Sequence, residues 1–354
     1  MSRRPTMSDV ADLAGVHKGT ASRALNPSTS GLVNAVTARR VRMAAEQLGF
    51  TPNTAARSLR TNRSFTVGVL LPDLMNPLFP PVTRGIEEVL TSFGYTALLA
   101  NTDNDEVKER SRFEALLGRQ VDGFIVATAR REHALLDEAY ASGVRVVLIN
   151  RCTDHRLFPC VAGDDATGMA LSVEYLLGLG HRGIAHLAGP QTMSTGVIRL
   201  RAFRHAVESA GLGPDRAPVV ISDAYTAEAG ERATHELLDR YPAATAICAG
   251  NDLIALGALR ALRARGLRCP QEMSLVGFND MRFADEFQPP LTTVHVPHLD
   301  MGAEAARLLL ERLDLDQKAE TGSAAAMAKT VLLPVRLVVR ASTAAPPPDG
   351  PAAR

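Results

Sequence analysis

Between Lys18 and Arg23 the chain sets an ammonium, the hydroxyls of Thr20 and Ser22, and a guanidinium close together. Such cations suit the O6 and N7 acceptors of guanine, at about 1–3 kcal/mol for each good contact. The hydroxyls suit phosphate oxygens, which fix position without specifying sequence. At helical spacing Gly19 and Arg23 share one face, and Ala21 and Leu25 lie opposite on the side to be buried. The surrounding charge is lopsided. Residues 1–64 hold 10 Lys/Arg against 3 Asp/Glu, in a chain whose formal net charge is only +1. A basic end on a mildly acidic body points to a polyanionic partner.

Other reactive groupings are weak. The loop Pro72-Asp-Leu-Met-Asn-Pro77 lacks the glycines that a dinucleotide site or P-loop needs. No Gly-x-Ser-x-Gly occurs, and His295-x-x-His298 has no further ligands at metal spacing. No enzyme, cofactor or metal site is therefore expected. The four cysteines, Cys152, Cys160, Cys248 and Cys269, show no Cys-x-x-Cys spacing and read as neither a disulfide framework nor a zinc site. A reducing cytoplasm fits best. No apolar run reaches the roughly 18 residues of a membrane span. Met1-Ser-Arg-Arg-Pro-Thr leads into no apolar stretch, so neither a signal peptide nor a membrane partner is expected.

The 354 residues, 46% hydrophobic and 22% charged, are enough for two or three domains. Residues 1–50 read as three short helices. Thr6 caps the first, with Asp9 as capping-box partner, Val10, Leu13 and Ala14 as apolar stripe, and Gly15 as breaker. The second runs from about Lys18 to Leu25. Pro27–Gly31 is a loop, and Asn34 caps a third helix with the face Val41, Ala44, Ala45 and Leu48, closed by Gly49. Two helices across a glycine turn, braced by a third, make a helix-turn-helix whose second helix enters the major groove of DNA. Residues 51–64 read as a hinge segment too short to be stable alone.

From Phe65 the pattern alternates. Strands are predicted at Thr66–Leu71, Tyr95–Ala100, Val121–Ala127, Arg145–Ile149, Gly183–Ala188, Val219–Ser222, Ala244–Ala249 and Ser274–Phe278, with amphipathic helices between most of them. Near-continuous apolar strands so spaced imply an α/β body with parallel sheets covered on both faces. There are too many for one small sheet, so residues 65–340 read as two lobes. Their boundary falls near Gly163–Asp165, with crossovers at Leu291–Val296 and near 325–330. Val331–Val339 reads as a last strand returning to the second lobe. Residues 341–354, rich in Ala and Pro, read as a disordered tail.

Asp9-Val-Ala-Asp-Leu-Ala-Gly-Val16, followed by Thr20-Ala-Ser-Arg-Ala-Leu-Asn26, resembles the headpiece of the lactose/galactose repressor family. Leu48-Gly-Phe-Thr-Pro-Asn53 and Ala56-Arg-Ser-Leu59 resemble its hinge. Leu179-Gly-His-Arg182, Ala188-Gly-Pro190, Asn251-Asp252, Leu275-Val-Gly-Phe278, Pro290-Leu-Thr-Thr-Val294 and Met301-Gly302 resemble its sensor core. The likeness spans roughly residues 6–340 in order. It implies a two-lobed, periplasmic-binding-protein-like core beneath the head, and a transcription regulator, most simply a repressor, that binds a near-palindromic operator in double-stranded DNA as a homodimer. The implied DNA contacts are Lys18, Gly19, Thr20, Ser22, Arg23 and Asn26 in the head. In the hinge they are Ala56, Leu59 as an apolar wedge in the minor groove, and Arg60. Three departures stand out: His17 replaces the usual serine cap, Gly19 has no side chain to read with, and the loop Pro27–Val33 is about two residues longer than usual.

The same resemblance implies a small-molecule effector, a sugar, sugar acid or related metabolite, held between the lobes by Asn76, Phe79, Arg151, Arg199, Tyr225, Asn251 and Asn279. Amides and guanidinium groups suit hydroxyls or carboxylates, and Tyr225 suits the face of a sugar ring. Asn279 stands where an aspartate is usual, which with Arg151 and Arg199 favours an anionic or weakly polar ligand over a plain neutral sugar. An effector shifts operator affinity only by its differential affinity for two states of the protein. Pro346-Pro-Pro348 precludes a tetramerising C-terminal helix. The competing reading is a solute-binding protein with the same core and no regulatory role, against which the basic head argues.

Overall fold

The head is built from local signals. Helix α1, Met7–Ala14, starts at Thr6, whose hydroxyl accepts the Asp9 amide while the Asp9 carboxylate accepts the Thr6 amide at 2.6 Å. It ends at Gly15, in the left-handed region at φ 59°. Helix α2 is Lys18–Leu25, and α3, Ala35–Leu48, is capped by Asn34 and closed by left-handed Gly49. Val10, Ala11, Ala14, Ala21, Ala24, Ala38, Val41, Ala44 and Ala45 form their shared core. Two assignments move. The apolar stripe of α1 runs through Ala11, leaving Leu13 47% exposed, and Ala24 rather than the half-buried Leu25 completes the buried face of α2. Alanines at the crossings let three short helices approach closely, and the longer side chains are left at the rim.

The computed structural model describes residues 5–25, 29–50, 63–318 and 328–347, and divides into two units, Met1–Ser64 and Phe65–Arg354. The second unit holds two six-stranded sheets. In lobe 1 these are β1 (Thr66–Leu71), β2 (Thr96–Asn101), β3 (Gly123–Val126), β4 (Val146–Ile149), β5 (Cys160–Gly163) and β11 (Thr330–Leu333), ordered β11-β5-β4-β3-β1-β2 and parallel throughout. Lobe 2 has β6 (Ile184–Ala188), β7 (Val219–Ile221), β8 (Ala246–Ala249), β9 (Ser274–Asn279), β10 (Thr292–His295) and β12 (Arg336–Val338), ordered β12-β10-β9-β8-β6-β7. Only β12 runs antiparallel there, along β10. Helices cover both sheets: α4 (Phe79–Ser92), α5 (Glu106–Gly118) and α6 (Ala134–Ala141) in lobe 1, and α7 (Asp165–Gly178), α8 (Ser194–Ser209), α9 (Ala227–Arg240) and α10 (Asp252–Ala264) in lobe 2. Helix α11, His298–Lys318, returns to lobe 1 and crosses α4 so closely that a Cβ on Gly302 would stand 2.0 Å from the Val82 carbonyl. No described helix is long and apolar enough to cross a membrane.

The chain crosses between lobes after Gly163, after Val296 and between Leu333 and Arg336. Leu291–Val296 is therefore not itself a crossover: it contributes β10 to the second sheet, and the passage follows it. Val331–Val339 is not one strand but two, one in each sheet. The crossover placed near 325–330 lies partly outside the described residues. Cys160–Gly163, short and weakly apolar, is a buried central strand that no sequence pattern singled out.

Two expectations are corrected outright. Cys152 and Cys160 form a disulfide across a separation of 8 residues; their spacing matches no motif, but the turn after β4 brings the two Cα atoms to 5.8 Å. The tail is ordered over residues 341–347, with 348–354 outside the described residues. Ser342 is fully buried, exchanging hydrogen bonds with Leu275 and accepting the Thr292 amide, and the Ala344 amide donates to Ser274 Oγ. A segment with no core of its own gains order by lending backbone groups and a hydroxyl to a sheet already formed.

In the chain-entropy picture, closing so short a loop stabilises by about 2–3 kcal/mol. Reducing the bond with a dithiol should lower the thermal midpoint of the second unit by about 3–5 °C. The paired variant Cys152→Ser/Cys160→Ser should melt at the reduced value with or without reductant; a wild-type midpoint that ignores the dithiol would show that the bond contributes nothing.

Candidate functional site

In the head, Lys18 and Arg23 project to solvent from α2, Gly19, Thr20 and Ser22 are half-buried, and Ala21 and Ala24 face the core. His17 does cap this helix: its Nδ1 accepts the Gly19 amide at 3.2 Å. At the other end Thr29 Oγ1 donates to the Arg23 carbonyl at 3.1 Å. Asn26, Ala56, Leu59 and Arg60 lie outside the described residues, as does the hinge from 51 to 62. Arg39 and Arg40, exposed on α3, add a basic strip that helical patterning had left without a role.

In the second unit, residues from strand ends and helix starts of both lobes enclose a cleft lined by Asn76, Leu78, Phe79, Asn150, Arg151, Thr195, Arg199, Tyr225, Asn251 and Asn279. All seven residues expected there meet in it, drawn from positions more than 200 residues apart in the sequence. Sheet topology does this: the C-terminal ends of parallel strands face one another across the gap, where α/β proteins hold ligands. Asn76 sits after β1 and turns the chain into α4, its Oδ1 accepting the Leu78 amide at 3.1 Å. Asn150, left-handed at φ 67°, and Arg151 follow β4. Asn251 caps α10, and its Oδ1 accepts the Ile254 amide at 2.8 Å. Asn279, at φ 114°, ends β9 with its Oδ1 buried and unpartnered. The Tyr225 ring lies over Gly189, where a Cβ would stand 2.2 Å from it, and its hydroxyl meets Thr195 Oγ1 at 3.0 Å.

Arg199 is held before any ligand arrives. Nε and Nη2 donate to Asp165 Oδ1 at 3.0 and 2.6 Å, Nη1 donates to the Gly250 carbonyl at 2.6 Å, and the guanidinium lies 3.7 Å from the centre of the Phe278 ring. Burial raises the Asp165 carboxyl above its ordinary range, and Arg199 pulls it back down. Asp252, next to the capping Asn251, is buried and accepts from Thr293 Oγ1 at 2.5 Å and the Met281 amide at 2.7 Å. Burial raises its pKa to about 7.

At the mouth, the lobes are clasped. The Arg131 amide donates to the Thr192 carbonyl at 2.9 Å and its Nη1 to the Gln191 carbonyl at 3.4 Å, while its Nη2 pairs with Asp154 at 2.7 Å. The Cys152 amide donates to Ser194 Oγ at 2.9 Å, from lobe 1 to lobe 2. Leu78, Asn150, Thr195 and Asp165 are the lining and supporting residues the sequence left unmarked. Asn150 had a signal, since it directly follows an apolar strand. Thr195 and Asp165 had none beyond their places at helix starts. Among the described residues no cluster of three His, Cys, Asp or Glu side chains is arranged to hold a metal ion.

Residues 6–53 match the bacterial regulatory proteins of the lacI family, and residues 173–343 a periplasmic binding protein-like domain. The ribose operon repressor of Halalkalibacterium halodurans is 33% identical over 87% of this chain and 90% of its own. The HTH-type transcriptional regulator CelR of Thermobifida fusca is 37% identical over 88% and 92%. Among solved structures, a CelR–cellobiose complex superposes with TM-score 0.70 at 32% identity, covering 96% of this chain and all of that one. The lac repressor dimer bound to operator and an anti-inducer superposes at 0.82 and 26% identity, covering 97% and 100%.

Removing one partner of a buried ion pair leaves the other charge uncompensated, at about 3–5 kcal/mol. Arg199→Met should therefore lower unfolding stability by about that much, and Arg199→Met/Asp165→Asn should recover a large part of it. With Arg199 gone, the folded Asp165 holds its proton to higher pH than the unfolded chain does. The deficit then grows as pH rises out of the ordinary carboxylate range. Urea titrations of both variants between pH 4.5 and 7.5 read this; a pH-independent deficit would mean that lost packing, not the stranded carboxylate, is responsible.

Proposed function

This chain belongs to the lacI family of bacterial regulatory proteins, and we propose that it works within it as an operator-binding repressor whose DNA affinity is set by a sugar or sugar derivative in the interlobe cleft. The observation that carries this reading is the union, in one chain, of a helix-turn-helix with exposed cations on its second helix and a polar cleft at facing strand ends. Neither feature alone would suffice, because two-lobed α/β bodies also serve transport and catalysis. The relatives are named as regulators and repressors, and one of the neighbouring structures is a complex with cellobiose.

The chain acts as a homodimer on a near-palindrome, each α2 lying in the major groove of one half-site. Lys18 and Arg23 read base edges there, and Thr20 and Ser22 hold the phosphates. The hinge residues Ala56, Leu59 and Arg60 serve the minor groove between half-sites. In the body, Asn76, Arg151, Arg199, Asn251 and Asn279 take the effector's polar groups, Phe79 and Tyr225 its apolar face. Acting on the chromosome, the protein works in the cytoplasm and carries out no reaction of its own.

Duplexes selected from a random pool by the purified full chain should converge on two inverted half-sites about one helical turn apart. Arg23→Ala should relax preference at one position of each half-site, at about 1–3 kcal/mol. Weakening that is uniform across all sequences would instead assign Arg23 to the phosphates, and a pool with no recovered motif would overturn sequence-specific binding.

A further inference from the structure

The cleft carries one more cation than it can neutralise. Its lining contains two guanidinium groups, Arg151 and Arg199, and no carboxylate. Asp165, behind the wall, is taken up by Arg199. Arg151 is only 6% exposed, its Nε is buried without a hydrogen-bond partner, and no described residue forms an ion pair with it. The nearby buried carboxylate, Glu109, is already engaged by Thr128, Arg130 and His133. Asn150 and Asn279, which flank the strand ends where an acidic side chain would balance the charge, are neutral amides. Burial lowers the Arg151 pKa to about 10, which leaves it charged at neutral pH. A buried cation without a counter-charge is costly and persists where a partner arrives to pair with it.

We propose that the effector is a small polyhydroxylated anion, a sugar-sized molecule whose carboxylate or phosphate seats on Arg151; this rests on the reading of the cleft as the effector site. A guanidinium with free donors binds either oxyanion through charge-assisted bonds, often as a two-pronged pair. The rest of the wall is complementary to a polyol. Asn279 offers a free buried Oδ1 to a hydroxyl donor. The Tyr225 ring gives a flat apolar side for the face of a sugar ring. The ligand's charge would thus be read by one residue and its hydroxyls by the amides around it.

The test is calorimetric titration of the full chain, at fixed ionic strength, with matched pairs: galactose against galacturonate, glucose against glucuronate, and ribose against ribose 5-phosphate, with inorganic phosphate as the bare anion. Each compound that binds is then added to an operator-binding assay. An acid or a phosphate should bind about 10- to 100-fold tighter than its neutral parent, the size of a good hydrogen bond to a charged group, and the arm that responds identifies carboxylate or phosphate. Arg151→Gln should abolish that preference while leaving the thermal midpoint at or above wild type, since it removes an uncompensated charge. A neutral sugar that binds as tightly as its acid, a preference that survives Arg151→Gln, or a panel in which no anionic probe binds each overturns the proposal. A neutral sugar that binds and shifts operator affinity does so while leaving the repressor reading intact. Operator binding unaffected by any probe of either charge removes the sensor as well.

Discussion

Arg199 sits where a guanidinium is expensive to keep, and much of the second unit is arranged around holding it. Asp165, two residues past the end of β5, meets it at the point where the chain leaves lobe 1. The Gly250 carbonyl, released where β8 turns into α10, takes a second donor, and Phe278 of β9 closes the flat face. One side chain on α8 thus ties the start of α7, the end of β8 and the end of β9 into a single wall. Each contact is short and buried, so each is worth more than it would be in water and costs more if broken. A wall fixed this way does not reorganise when a ligand enters, which spares binding the entropy of ordering it.

The opposite wall is held by different bonds. Lobe 1 supplies Asn150 and Arg151 from the turn after β4, and the disulfide to Cys160 ties that turn to the first residue of β5. The turn also reaches across, through the Cys152 amide to Ser194, and Arg131 adds its bonds to Gln191 and Thr192. A few neutral or part-exposed hydrogen bonds clasp the lobes, each with a net worth near 1 kcal/mol. That is the scale on which a bound metabolite can shift a population: large enough to hold a state, small enough for a ligand's contacts to outweigh. The clasp and Arg151 share one tethered turn.

Much of this was legible, and the limits have physical causes. Helix ends in the head follow from Thr6, Asp9, Gly15, Asn34 and Gly49, because caps are local and their chemistry is specific. Which residue of a short helix faces inward is not local: Leu13 and Ala11 both satisfy a helical period, and the close approach of three helices selects the alanine. The seven cleft residues could be named from the family resemblance, most of them in segments that follow a strand, with Arg199 on α8. Asp165 could not, since nothing in Gly163-Asp-Asp165 says which of two adjacent carboxylates turns inward; Asp164 caps α7 and Asp165 is buried against Arg199. The Cys152–Cys160 bond depends on the path of a loop, which no spacing encodes. The tail misled through composition: Ala and Pro predict no core, yet Ser342 needs only two backbone neighbours to dock.

The departures from the family pattern in the head are coupled to one another. A histidine at position 17 caps α2 through a ring nitrogen, which stands farther from its own backbone than a serine hydroxyl and must fold over the first turn to reach the Gly19 amide. A Cβ at position 19 would lie 3.3 Å from that nitrogen, tighter than an ordinary contact. Gly19 thus leaves room beside the His17 ring that a Cβ would narrow by a few tenths of an ångström. Gly19 presents no side chain, so the cations this helix exposes are Lys18 and Arg23, at its tip and one turn on.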